Sequence, residues 1–239
     1  TADGTAGATT LKKLSGSCKA ATATAAPSSN GTLHEGDSGE DVYNLQARLF
    51  ELGYYNGRID GRYSSETTAA VKAFQKANGL SADGLAGEKT YDMLYSPKAK
   101  ESPKKAAQKK TKANISKMIE VARSKLGCKY ILGNTGPKSF DCSGLVYYCL
   151  KQAGSNRRRL TAAGYSQVDD WEKISDINKL KKGDLICFYS DNYSKIGHIG
   201  IVISSSMMID ASSSNGKVVR REYKTTYWKK HFYCGRRPW

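Results

Sequence analysis

No stretch of the 239-residue chain approaches the roughly 18 consecutive apolar residues a membrane-spanning helix needs, so no membrane span is expected. Metal ligands are equally short. The six cysteines, at 18, 128, 142, 149, 187 and 234, form no C-x-x-C pair, and the three histidines, at 34, 198 and 231, are too scattered for a zinc signature. Neither a metal nor a cofactor is expected. Acidic residues are outnumbered 22 to 38 by Lys and Arg, a net charge of +16. Yet no helix-turn-helix, zinc finger or aromatic RNA-binding pattern accompanies that excess, which argues against nucleic acid and for some other polyanion. The chain opens at Thr1 without a methionine or a signal-peptide pattern and reads as a mature or trimmed fragment. An even cysteine count does not settle disulfides, since a free thiol at Cys142 would leave five.

What is present is organised in blocks. Residues 33–96 carry six Lys/Arg against ten Asp/Glu, residues 97–113 seven lysines against Glu101, and residues 114–239 carry 22 against ten. Charge therefore changes sign where composition changes. The segment "PKAKESPKKAAQKKTKA", residues 97–113, has no apolar periodicity and predicts an extended, self-repelling linker at a domain boundary.

Residues 1–16 match residues 81–96 at seven of their first fourteen positions, a period of 80 residues. They read as the last piece of a preceding copy, joined by an Ala/Ser/Thr-rich flexible linker over 17–32. The complete copy predicts three short helices. Ser38 can cap the first, with Val42, Leu45, Leu49 and Leu52 at helical spacing, and Ser64 the second, with Thr67, Ala70, Val71 and Phe74 on one face. Asp-Gly pairs at 60 and 83 mark turns, and Gly87 to Leu94 supplies the third helix. With LQ, LGYY, T-A-V-x-x-FQ, NGL and DG-x-x-G-x-x-T in order, residues 33–96 resemble the peptidoglycan-binding module of bacterial and phage cell-wall hydrolases. The resemblance implies an all-α, three-helix anchor without catalysis of its own.

The chemistry is expected further on, at "SFDCSGLVYYCL", Ser139 to Leu150. Leu145, Val146, Cys149, Leu150 and Ala153 make a helical stripe, and Asp141 and Ser143 suit its first turn, which sets Cys142 at the positive helix end. An ordinary thiol, pKa about 8.5, is only about 3% thiolate at pH 7. Bringing it near 6 takes about 3 to 4 kcal/mol, whereas a helix terminus supplies about 0.3 to 1 kcal/mol. A cationic partner is needed, usually histidine. Cys128, Cys149, Cys187 and Cys234 read as packing residues.

"KIGHIGIVISSSMMIDAS", Lys195 to Ser212, predicts two strands. His198, Gly200 and Val202 share one face; Ile199, Ile201 and Ile203 share the other. A hairpin symmetric about Ser204 puts His198 opposite Asp210, near enough for the carboxylate to accept the imidazole Nδ1 proton. Gly197 and Gly200 would let a helix end approach. His34 and His231 read as structural.

Together, DCSG, "LKKGDLICFY", "GHIGIVI" and "MIDAS" make residues 114–239 resemble the NlpC-type cysteine peptidases, a papain-like α+β fold with an antiparallel sheet. The resemblance implies Cys142 as nucleophile, His198 as base and Asp210 as third member. It also implies Tyr130 as an oxyanion and substrate contact, and Asp141 and Ser143 as lining for the stem peptide's amino side. Asp210 stands where histidine is frequent in the family. Leu132 and Asn134 replace a common tryptophan and glycine, and Arg159-Leu160 stands for a Pro-Arg pair. The expected protein is a secreted, wall-associated hydrolase that cleaves a stem-peptide amide, at γ-D-glutamyl-diaminopimelate or a neighbouring bond. Its partner is peptidoglycan, with teichoic acids or other anionic wall polymers drawn to the basic surface. An N-acetylmuramoyl-L-alanine amidase and a catalytically silent wall binder are the alternatives.

Overall fold

A computed structural model describes residues 31–239. The expected repeat remnant at 1–16 and nearly all of the joint at 17–32 lie outside the described residues. The chain divides into two compact units between Ala106 and Ala107, inside the segment expected to hold the boundary.

The first unit contains three helices, α1 (Glu40–Leu52), α2 (Ser65–Ala77) and α3 (Glu88–Tyr95). The apolar stripes read from the sequence are the ones it buries: Val42, Leu45, Leu49 and Leu52 meet Ala70, Val71 and Phe74 and, from α3, Tyr91 and Leu94. Helix α1 starts one residue later than a Ser38 cap requires. Gly39, at φ 135, is the N-cap and offers no side chain. Ser64 does precede α2, without a side-chain capping bond.

Two buried glutamines explain how the turns hold. Gln46 of α1 accepts from Asp60 N at 3.1 Å and Gly61 N at 2.9 Å and donates to Arg62 O at 2.9 Å. Gln75 of α2 repeats the arrangement, accepting from Gly84 N at 2.9 Å and donating to Leu85 O at 2.9 Å. Each amide thus satisfies a loop's backbone donor and acceptor inside the core, where leaving them unpaired would be costly. Gly61 and Gly84, at φ 73 and 81, take the left-handed conformation that lets each turn close on its glutamine.

The expected linker is a correction. Only its first residues lack regular structure; Pro103–Ser124 is a 22-residue helix, α4. Proline is tolerated at a helix start, where its missing N–H would be unsatisfied in any case, and Ala, Lys and Gln are strong helix formers. Ser102 Oγ accepts from Lys105 N at 3.2 Å, and Glu101 pairs with Lys105 one turn on. Lysine repulsion does not stop a helix whose later turns bury Met118, Ile119, Val121 and Ala122 in the second unit's core.

In the second unit α4 is followed by β1 (Lys129–Tyr130), β2 (Ser139–Phe140), α5 (Cys142–Gln152), α6 (Ala162–Ser166), β3 (Glu172–Ile174), β4 (Leu185–Tyr189), β5 (Ile196–Val202), β6 (Met207–Ser212), β7 (Lys217–Glu222), α7 (Thr226–His231) and β8 (Phe232–Arg237). The strands form one sheet in the order β2-β1-β7-β6-β5-β4-β8-β3, antiparallel except for β1 with β2. Its α+β architecture is the one expected. Leu145, Val146, Cys149 and Leu150 of α5 pack with Cys187, Ile199, Ile201 and Ile209. Phe188, Val202, Met208 and Tyr223 form a second cluster. The strand alternation therefore sends Ile199, Ile201 and Ile203 to one core and Val202 to the other, as the period of two requires.

Candidate active site

Asp141 fixes the start of α5. Its Oδ1 accepts from Gly144 N at 2.6 Å and from Ser143 Oγ at 2.9 Å, while Oδ2 accepts from Gly133 N at 2.8 Å and Arg159 Nη2 at 2.5 Å. With its side chain 6% exposed, this carboxylate is occupied by internal partners, and the Ser143 hydroxyl proton is spent on it. Cys142, half-buried, is thus the first residue of a helix whose preceding turn cannot drift. The close-approach glycine is Gly144, where an added Cβ would lie 2.0 Å from Asn134 O. The expectation that Gly197 and Gly200 receive a helix end is corrected. A Cβ at Gly197 would meet Ser190, and one at Gly200 would meet Met208 Sδ at 3.1 Å and Asp210 Cβ at 3.3 Å.

The β5–β6 register also differs from the symmetric hairpin. Ile201 pairs with Ile209 and Val202 with Met208, two residues away from the expected alignment, because the turn takes Ser204, Ser205 and Ser206 with Ile203 N donating to Met207 O. A slip of two preserves the face, whereas a slip of one would have reversed it. Continued along the ladder, this register places Gly200 across from Asp210. The glycine leaves open the space through which His198, two residues back, reaches the carboxylate diagonally.

His198 donates from Nε2 to Asp210 Oδ2 at 2.8 Å. The expected nitrogen was Nδ1, and the structure reverses the assignment. Cys142 lies close enough to His198 to favour its charged form, and with Nε2 taken by Asp210, Nδ1 is the nitrogen free to meet a sulfur. Burial works against a charged imidazole here, but the bonds and charges of Asp210 and Cys142 outweigh it and lift the His198 pKa from 6.5 to about 9. Burial likewise opposes ionisation of Asp210, whose side chain is 0% exposed; His198 and Arg221 prevail and lower its pKa. The Tyr130 phenol is raised first by burial and then by the charges of Cys142 and Asp141.

Three neighbours escaped the sequence reading. Arg221 of β7 donates from Nε to Asp210 Oδ1 at 2.9 Å and from Nη2 to Oδ2. Trp228 of α7 lies over His198 with ring centroids 5.6 Å apart, and Phe188 stacks on His198 at 6.3 Å. Reading "SSSNG" as the β6–β7 turn would have exposed Arg221, because Asp210 pairs with Val219 and Arg221 sits two residues beyond on the same face. A pocket of about 430 Å³ opens beside His198, lined by Tyr189, Asp191, Ser212, Tyr227 and Trp228 among others.

Of the remaining residues, Cys149, Cys187 and Cys234 are buried, the last two facing each other across β4 and β8. His231 donates from Nδ1 to Tyr227 O at 2.8 Å. Among the described residues no group of three or more His, Cys, Asp or Glu side chains is arranged for a metal ion, and no helix is long and apolar enough to cross a membrane.

Comparison with known families resolves the two units. A profile of the NlpC/P60 family matches residues 127–237, the stretch that contains Cys142, His198 and Asp210. Residues 127–237 are an NlpC/P60 domain. A peptidoglycan binding domain profile matches residues 38–94. The chain is similar to murein DD-endopeptidase MepH of Escherichia coli, 30% identical over 131 residues, 53% of this chain and 48% of that protein. A spore cortex-lytic enzyme of Bacillus cereus is 45% identical over 86 residues, 36% of this chain and 32% of the enzyme. The chain therefore spans about a third to a half of the length of these curated relatives. Among solved structures, NlpC2 from Trichomonas vaginalis aligns with 26% identity and a TM-score of 0.49 over 53% of this chain and 48% of that one.

Proposed function

We propose that the protein is a secreted, wall-associated peptidoglycan hydrolase whose NlpC/P60 domain is a cysteine endopeptidase acting on stem-peptide amides. The observation that carries this reading is the His198–Asp210 pair, 2.8 Å between Nε2 and Oδ2, with Cys142 among the groups that favour the charged imidazole. Base and orienter are hydrogen-bonded and the thiol neighbours the base, the grouping that thiolate catalysis requires.

In the proposed reaction Cys142 Sγ attacks the scissile carbonyl carbon. The developing oxyanion meets the Cys142 amide, one of the helix's unsatisfied first-turn donors, and Tyr130 Oη. His198 gives its Nδ1 proton to the leaving amine. It then takes a proton from water, which attacks the thioester and releases the acyl product and the free thiolate. The pocket beside the general acid has room for the leaving-group side. Asp141, engaged by Gly133, Ser143, Gly144 and Arg159, holds the sulfur's turn and with Ser143 defines the acyl-side wall. Residues 38–94 would tether the enzyme to its polymer and raise local substrate concentration. The basic charge of residues 114–239 suits teichoic acids or other anionic wall polymers.

The finer assignment is cleavage of γ-D-glutamyl-diaminopimelate. Digestion of purified peptidoglycan, followed by mass assignment of new amino termini, tests it. Freed diaminopimelate amines support the endopeptidase, freed L-alanine amines would replace it with an amidase, and no products would leave a silent wall binder.

A further inference from the structure

Asp210 is the third member of the relay and is wholly buried, its side chain 0% exposed. A carboxylate in that position is unfavourable as an anion unless opposed by charge and hydrogen-bonded on both oxygens. One imidazole N–H reaches only Oδ2. Arg221 supplies the rest, with Nε on Oδ1 at 2.9 Å and Nη2 on Oδ2. Two donors held in one plane fix the carboxylate's rotation as well as its charge, which a lysine's single ammonium cannot do. The guanidinium is itself located: it stacks on Trp228 at 4.6 Å, and Trp228 lies on His198 and, at 4.4 Å, on Phe188.

We infer that Arg221 is a positioning residue of this site: by gripping both oxygens of Asp210 it keeps the carboxylate ionised and turned toward His198. Trp228 completes the arrangement by covering the imidazole and the guanidinium at once. The charged and titratable groups around His198 are Cys142 from α5, Asp210 from β6, Arg221 from β7 and, across the adjoining pocket, Asp191 with the phenols of Tyr189 from β4 and Tyr227 from α7. With the thiolate–imidazolium pair formed, Cys142, His198, Asp210 and Arg221 sum to zero charge; with that proton back on sulfur they again sum to zero. Removing Arg221 leaves one buried negative charge in either state. Asp210 relieves it by taking a proton or rotating away, and His198 loses its acceptor. The inference rests on the hydrolase reading only for its kinetic consequence.

The test is ring-nitrogen NMR titration of His198 in the full chain, assigned with a His198→Gln variant, beside kinetics on a synthetic stem peptide. In Arg221→Met the His198 midpoint is expected to fall by at least about one pH unit from its value near 9, toward 6.5. Turnover should drop about a hundredfold with KM little changed, the mark of a misplaced catalytic group. Arg221→Lys, which keeps the charge without the fork, should lie between the two, and it carries the test if Arg221→Met does not fold. A midpoint that stays or rises in a folded variant overturns the inference, and so does a lowered melting temperature with unchanged turnover. If the wild-type protein cleaves no wall peptide but the midpoint still falls, the hydrolase reading fails and the positioning role stands.

Discussion

Replacing Asp210 by asparagine tests the relay most directly, because it keeps the side chain's size and a carbonyl acceptor while deleting one charge. The elevation of His198 from 6.5 to about 9 corresponds to about 3 kcal/mol favouring the imidazolium, on a side chain 19% exposed. Burial opposes that elevation, and the bond and charge of Asp210 are foremost among the influences that overcome it. Their loss is expected to remove at least about half, so the His198 midpoint should fall by about one to two pH units. The assay is kcat/KM against pH on a fluorogenic stem peptide. In the proposed reaction the imidazolium protonates the leaving amine, so the wild-type alkaline limb should fall near pH 9 and that of Asp210→Asn near 7 to 8. The sign also fixes stability. The His198 contribution is full below 6.5 and is lost as pH rises through about 9; that of Asp210 is full above 3.8 and is lost as pH falls through its lower folded value. An alkaline limb that remains near 9 in Asp210→Asn would refute the proposed coupling.

Cys142→Ala should abolish release of soluble muropeptides while sedimentation with purified walls is retained; residual turnover above a tenth of wild type would remove the nucleophile assignment. Gln46→Ala strips the core partners of Asp60 N, Gly61 N and Arg62 O and is expected to cost about 3 kcal/mol, read as a lowered calorimetric transition of the full chain together with weaker wall binding. Gly144→Ala drives a methyl into Asn134 O, 2.0 Å from the ideal Cβ, so a loss of about 3 kcal/mol or a failure to fold is expected. Unchanged denaturant midpoints would show that the α5 entry is looser than described.

Side-chain periodicity carried most of what was legible. The stripes Val42-Leu45-Leu49 and Leu145-Val146-Cys149 needed only the helical repeat, and the face shared by His198 and Asp210 needed only the strand repeat. That is why a difference of two residues in the hairpin register still leaves those residues on one face, joined diagonally. The choice between Nδ1 and Nε2 depends on ring orientation, which Gly200, Trp228 and Cys142 set together across three separate segments. Arg221 was hidden for a similar reason, since its relation to Asp210 exists only through the β6–β7 register. Repulsion among seven lysines in residues 97–113 argues for open chain, yet the later turns of the same helix are anchored in a core that composition alone does not reveal.

That lysine-rich helix alters what the protein can survive. Six lysines between Lys104 and Lys117 would, in open chain, be six cutting sites for any trypsin-like protease. Proteases thread extended backbone through their clefts, so a coiled segment yields its peptide bonds only when it transiently unwinds. Folding this stretch thus shields it from nicking without sacrificing its positive charge.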